Sequence, residues 1–258
     1  MNLLTVRNLG KSFGAVVAAR DVGFTLERGE MLAMIGPNGA GKSTVFNMIG
    51  GQLRPDRGQV LLDGQEITSN SPQKRFRRGV GRTFQVAQTF LSMTVAENVQ
   101  MALISCGRES LDLAGPVRVR HRDEALKLLS LVGMADAADR PCSALAYGDV
   151  KRVELAIALA CRPKLLLMDE PTAGMAPRER SALMDLTASI ATSQAVGVLF
   201  TEHDMDVVFG HADRVLVLLR GEIIASGAPD EIRQDVRVRQ AYLGDAHALD
   251  PPQARSPA

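Results

Sequence analysis

Gly36-Pro37-Asn38-Gly39-Ala40-Gly41-Lys42-Ser43-Thr44 sets how the rest of the chain is read. A glycine, four residues, then Gly-Lys-Ser is the pattern of a phosphate-binding loop. The apolar run Met31 to Ile35 precedes it, and Val45, Phe46, Ile49 and Leu53 follow as one helical face. Strand, glycine-rich turn and helix is the context this motif needs. The glycines let successive backbone N–H groups turn inward on phosphate oxygens, and a helix opening near Lys42 adds the positive end of its dipole. In that arrangement Lys42 reaches the β- and γ-phosphates of a nucleotide and the Ser43 hydroxyl binds Mg²⁺.

Beyond the loop, Leu165 to Met168, Val196 to Phe200 and Val215 to Leu219 are further continuous apolar runs. Runs of that length without alternation suit strands buried on both faces of a mostly parallel sheet. Helical stripes lie between them: Ala125, Leu128, Leu129 and Val132, then Val150, Val153, Ile157 and Ala160. Strand and helix in repetition predict an α/β fold with right-handed crossovers. Leu3 to Leu26 and Gln59 to Ile67 read as antiparallel strands of a small N-terminal side sheet, and Val215 to Ala225 as a hairpin turning at Arg220-Gly221. The expected organisation is a single unit over residues 1–244. Residues 1–85 and 161–244 form its nucleotide-binding core, 86–160 an inserted helical lobe, and the Pro- and Ala-rich residues 245–258 a disordered tail.

Leu165-Leu166-Leu167-Met168-Asp169-Glu170 is an apolar strand ending in two acids. The C-terminal edge of such a sheet is where α/β folds bind ligands. Asp169 is placed to join the Mg²⁺ shell, and Glu170 to orient or deprotonate an attacking water. Adjacent acids at a strand end also serve as turn or cap residues, so this pair gains its meaning from the phosphate loop.

Composition narrows the classes. The 258 residues are 46% hydrophobic and carry 30 basic against 29 acidic side chains, a net charge of +1. That balance argues against nucleic acid bound on a broad basic face. The 3 cysteines, Cys106, Cys142 and Cys161, are scattered and odd in number. They are expected to be unpaired small hydrophobes in a reducing cytosol. No signal peptide is read at the N-terminus, and no apolar run approaches the ~20 residues needed to span a bilayer.

Five further motifs follow one another in a fixed order, and with them the chain resembles the ABC ATPase family over nearly its whole length. Phe13, in Lys11-Ser12-Phe13-Gly14, falls where that family stacks an aromatic on adenine. Gln85, in Arg82-Thr83-Phe84-Gln85, matches the glutamine that touches the metal and joins the two lobes. Leu145-Ala146-Tyr147-Gly148-Asp149 matches the signature motif, Ala173 to Pro177 the D-loop, and His203, in Thr201-Glu202-His203-Asp204, the switch histidine that contacts the γ-phosphate. The remaining histidines, His121, His211 and His247, match nothing and read as surface residues.

The resemblance implies an ATP hydrolase paired head to tail with a second cassette, each nucleotide held by one subunit's phosphate loop and the other's Gly148 turn. It implies transmembrane permease subunits docked near Gln85, an indirect link to a solute-binding protein, and a cytoplasmic location on the inner face of the membrane. Two departures stand out. The usual signature is Leu-Ser-Gly-Gly-Gln; Ala146 lacks the serine hydroxyl and Asp149 replaces the glutamine. One hydrogen bond to phosphate is thereby missing, worth about 1.5–3 kcal/mol. Ala176 stands where the D-loop usually has aspartate.

The details of these strings, with the ending Ala241-Tyr242-Leu243-Gly244, are similar to the larger ATPase of importers for branched-chain and other hydrophobic amino acids. The alternatives in the same class are the lipopolysaccharide exporter's ATPase and the urea, amide or aromatic-acid importers. Outside the transport class stand a soluble ABC protein of DNA repair or translation and a module that holds nucleotide without hydrolysing it. A signalling GTPase is disfavoured, because no Asn-Lys-x-Asp string is present.

Overall fold

The computed structural model describes residues 2–83, 89–106 and 121–241. The chain opens with a long antiparallel pair, β1 (Asn2–Phe13) and β2 (Val16–Glu27), followed by β3 (Met31–Ile35), the phosphate loop, and α1 (Lys42–Gly50). β4 (Arg57–Leu62), β5 (Gln65–Glu66), α2 (Pro72–Arg77) and β6 (Val80–Thr83) complete the first half. Three helices follow: α3 (Val95–Cys106), α4 (Arg122–Leu131) and α5 (Tyr147–Leu159). The chain then returns to the core with β7 (Leu165–Asp169), α6 (Pro177–Gln194), β8 (Gly197–Thr201) and α7 (Met205–His211). It ends with β9 (Arg214–Leu219), β10 (Glu222–Gly227), α8 (Pro229–Gln234) and α9 (Val236–Ala241).

Two sheets result. The smaller, in the order β2-β1-β4-β5, is antiparallel throughout. The larger runs β10-β9-β3-β8-β7-β6, parallel except for the β9–β10 hairpin. The α/β class with a side sheet is therefore as the sequence predicts. The hairpin turns at Arg220 and Gly221, both with positive φ, 49° and 83°, which matches the strand twist of a tight two-residue turn.

Alternation inside the apolar runs explains the layering. Met31, Ala33 and Ile35 of β3 face one core cluster, together with residues of α3 to α7, while Leu32 and Met34 face another, together with the small sheet and α1. The same split occurs in β7, where Leu166 and Met168 oppose Leu165 and Leu167. A strand that feeds two cores has no polar face, so its sequence reads as a continuous run.

The structure corrects the sequence reading in three places. β6, the outer strand beside β7, has no apolar run to announce it. The stripe assigned to α5 is partly misplaced: Val150 and Ile157 are only half-buried, while Lys151, Glu154, Leu155, Ala156 and Leu159 are buried, because the helix touches α3, α4, β6 and α6 at once. Lys151 and Glu154 meet at 3.1 Å within that interior, so each carries the other's charge out of water. And the cysteines are not all unpaired. Cys106, at the end of α3, and Cys161, just after α5, are joined in a disulfide with Cα atoms 5.5 Å apart, leaving Cys142 free and buried. A separation of 55 residues gives no hint of that meeting, which depends on how α3 packs along α5.

A buried arginine ties α1 to α2. Arg75 Nη1 donates to Met48 O at 2.7 Å and to Ile49 O, Nη2 to Thr68 O at 2.8 Å and Nε to Asn70 O at 3.1 Å. Burial pulls its guanidinium down to about 10, yet the cation still answers the orphan carbonyls at the end of α1. No described helix is long and apolar enough to cross a membrane.

Candidate functional site

The phosphate loop leaves β3 at Ile35 and enters α1 at Lys42. Gly41 has φ 104°, and a Cβ there would lie 2.2 Å from Ala18 O of β2. Only glycine lets the loop pass that close to the small sheet. The loop is braced by Ala40 N donating to Pro37 O at 3.1 Å and Gly221 N to Ala40 O at 2.9 Å. Asn38, Gly39 and Ser43 are exposed, while Lys42 is buried. Lys42 Nζ donates to Gly36 O at 2.5 Å and to Pro37 O at 3.3 Å, so the ammonium rests on its own loop's carbonyls. Burial pulls this ammonium below the ordinary lysine range, and the charges of Glu170 and Asp169 pull it back upward.

Across the sheet, β7 and β8 run in parallel with Asp169 opposite Thr201. Thr201 Oγ1 donates to Asp169 Oδ1 at 2.8 Å, and Glu170 N donates to Thr201 Oγ1 at 3.1 Å. One hydroxyl thus fixes both acids. Glu170 has φ 47°, the left-handed region, where a non-glycine residue stores about 1–3 kcal/mol of strain and often marks a functional position. The turn aims its carboxylate at the next strand end, where Glu170 Oε1 meets His203 Nε2 at 2.8 Å. With the carboxylate ionised, Nε2 carries the proton.

Behind Asp169 stands Arg82 of β6. Its Nη2 lies 3.6 Å from Asp169 Oδ2 and donates to Asn47 Oδ1 of α1 at 3.0 Å. Burial lowers the Arg82 guanidinium, opposed by the charge of Asp169. Lys42, Asp169, Glu170 and His203 thus converge at the C-terminal edge of β3, β7 and β8.

Two predicted residues lie apart from that cluster. Phe13 ends β1 and is 51% exposed, with Lys11 Nζ 5.7 Å from the ring centre; its outer face is open to a planar partner. Gly148 is buried in the first turn of α5, where a Cβ would come within 3.1 Å of Glu179 Oε1 of α6. Gln85 falls outside the described residues. Ala176 is the cap residue of α6, and its N–H donates to Glu179 Oε2 at 3.2 Å. The side chain of Glu179 therefore supplies the reciprocal half of a capping box, the bond to the cap residue's own N–H, which needs no side chain at Ala176.

Sequence reasoning assigns no role to Thr201, Arg82 or Glu202. Their signal lies in strand adjacency, which no spacing along the chain reveals.

Between α1, α2, β6 and the helices α3 and α5 runs a groove of about 600 Å³, lined by Gln52, Phe76, Val80, Arg82, Phe90 and Met101 among others.

Comparison with known proteins agrees with this fold. The ABC transporter family matches residues 19–173, and the family described as branched-chain amino acid ATP-binding cassette transporter matches residues 222–248. The chain is 39% identical to the high-affinity branched-chain amino acid transport ATP-binding protein LivG of Escherichia coli K12, over 95% of this chain and 98% of that one. It is 34% identical to the lipopolysaccharide export system ATP-binding protein LptB of Haemophilus influenzae, over 96% and 100%. Among solved structures, the ADP conformation of MJ1267, an ATP-binding cassette of an ABC transporter, superposes with a TM-score of 0.86 at 32% identity, covering 95% of this chain and 100% of that one. The chain belongs to the ABC transporter family, as one of its ATP-binding cassettes.

Proposed function

We propose that this chain binds and hydrolyses ATP to power an importer of branched-chain or related hydrophobic amino acids. The observation that carries the chemistry is the contact of Glu170 with His203 at 2.8 Å, beside Lys42. Resemblance to LivG over 95% of the chain, with the match over residues 222–248, supports the transport role. The LptB-like alternative rests on identities of 34% and 37%, slightly below the 39% to LivG.

Lys42 exchanges its loop carbonyls for the β- and γ-phosphate oxygens of ATP, and the exposed Ser43 and the loop N–H groups close around them. The Ser43 hydroxyl and the Asp169 carboxylate are both oxygen donors and few in number, a set that suits Mg²⁺, which keeps several waters and phosphate oxygens as ligands. Gln85 is the family's further contact to that ion. When bound, Mg²⁺ neutralises charge on the phosphates. Phe13 stacks on the adenine. Glu170 orients a water against the γ-phosphorus; as the water's oxygen bonds to phosphorus, the bond to the β-bridging oxygen breaks, ADP departs and the carboxylate receives the proton. His203 holds the Glu170 carboxylate in line and faces the γ-phosphate.

A second cassette supplies its own Gly148 turn to this nucleotide, and this chain's Gly148 serves the partner's. The apolar groove receives a short helix of a permease subunit, which holds the chain at the inner face of the membrane and carries the motion outward. Glu170→Gln tests the hydrolytic reading. Phosphate release should fall by at least ~100-fold, while ATP still binds and a closed dimer accumulates on size-exclusion chromatography. Turnover at the wild-type rate would refute the assignment. Uptake of labelled leucine, lost on deletion of the chain and restored by it, tests the cargo; intact uptake alongside defective lipopolysaccharide export would favour the other reading.

A further inference from the structure

Glu202 is a carboxylate in an unusual position. It follows β8 directly, is 4% exposed, and among the described residues makes no ion pair. Its Oε1 accepts two hydrogen bonds from Thr172, from N at 2.8 Å and from Oγ1 at 2.7 Å. Its Oε2 accepts one from the backbone N–H of His203 at 3.2 Å. A buried carboxylate held by neutral donors alone is expensive to desolvate, and every hydrogen bond Glu202 makes here is one that it accepts.

We propose that Glu202 is a positioning residue that clamps the turn carrying Glu170 to the turn carrying His203. Thr172 lies two residues beyond Glu170, and His203 is the next residue after Glu202, so a single carboxylate spans both segments. Thr201 fixes Glu170 from the other side, through its backbone oxygen and its hydroxyl, both 3.1 Å from Glu170 N. Between these two attachments the Glu170–His203 contact has little freedom to open. The charge matters because an ionised carboxylate accepts on both oxygens at once. An amide has one acceptor oxygen, so it can keep Thr172 or His203 but must turn an N–H₂ toward the other donor. This inference rests on the hydrolytic reading above and adds to it a residue that touches neither nucleotide nor water.

The test measures phosphate release as a function of ATP concentration on the assembled transporter, together with binding of a fluorescent ATP analogue. Glu202→Gln should lower kcat about tenfold and leave KM and analogue affinity within about twofold, the pattern of a misplaced catalytic pair. Thr172→Val should lower kcat about fivefold, and Thr172→Ser should recover most of that loss. Because both residues act through one clamp, the Glu202→Gln/Thr172→Val pair should be little worse than Glu202→Gln alone. An unchanged kcat, a rise in KM with kcat intact, or fully additive losses would each overturn the clamp. Should Glu202→Gln fail to fold, Thr172→Val, which removes a single hydroxyl, decides the same question. Absence of turnover in the wild type would sink the hydrolytic reading itself; wild-type turnover with a full-rate Glu202→Gln would sink only the clamp.

Discussion

The strand-edge cluster and the start of α5 are built in opposite ways. At the strand edge every charged group has a partner within the chain: Lys42 on Gly36 O, Asp169 on Thr201, Glu170 on His203, Glu202 on Thr172. At the start of α5 the cap residue is Ala146, which makes no side-chain hydrogen bond, and Gly148 follows in the first turn. The first N–H groups of a helix have no acceptor inside it and carry the positive end of the dipole. The cluster is a preorganised whole that exchanges one set of partners for another when nucleotide arrives. In the proposed reading the helix start is half of a contact. That contrast separates the parts of the proposed composite site that depend on this chain alone from those that need a second subunit.

Gly148→Glu tests the contrast most severely. It places a carboxylate where the partner's γ-phosphate is to sit, and its Cβ crowds Glu179. Turnover should fall ~10³-fold, the scale of losing an anion-stabilising donor. Affinity of the isolated chain for ATP should stay within about threefold, because its own phosphate loop is untouched. A comparable loss of affinity would mean that Gly148 serves the nucleotide in its own subunit. Lys42→Ala makes the converse test. Removing an ammonium that makes charge-assisted contacts to two phosphates should weaken ATP binding ~100-fold by isothermal titration, whether or not a partner is present. Retained affinity would show that the backbone of the loop suffices.

Legibility in the sequence follows the same division. β3, β7, β8 and β9 are readable because burial on both faces leaves no polar register, whereas β6, reading Val-Gly-Arg-Thr, has only its pairing with β7 to define it. Lys42, Asp169, Glu170 and His203 can be named from sequence because a loop or strand end displays them in a recognisable string. Thr201 and Glu202 lie in the same string without a role, because their partners are 32 and 30 residues away and are met only across the β7–β8 ladder. The pairing of Cys106 with Cys161 is hidden for the same reason, two helices replacing two strands.

Arg82 links the cluster to the groove, and its replacement should have a mild effect with a diagnostic sign. Arg82 lines the groove, and its guanidinium stands 3.6 Å from Asp169 Oδ2 while donating to Asn47. Met in its place keeps an apolar stem in the groove but removes the positive charge that Asp169 now faces. A carboxylate relieved of a neighbouring cation attracts a divalent ion more strongly, and in a half-buried setting the gain is a fraction of the bare Coulomb figure. Arg82→Met should therefore lower the Mg²⁺ concentration for half-maximal ATP hydrolysis by about threefold, with kcat reduced by no more than a similar factor. The opposite sign, a weaker Mg²⁺ response, would mean that Arg82 holds Asp169 in its coordinating pose rather than competing for it. A helix seated in the groove that shifted this one side chain would then change the metal site directly, joining the unfinished surface of the molecule to its self-contained one through a single ion pair.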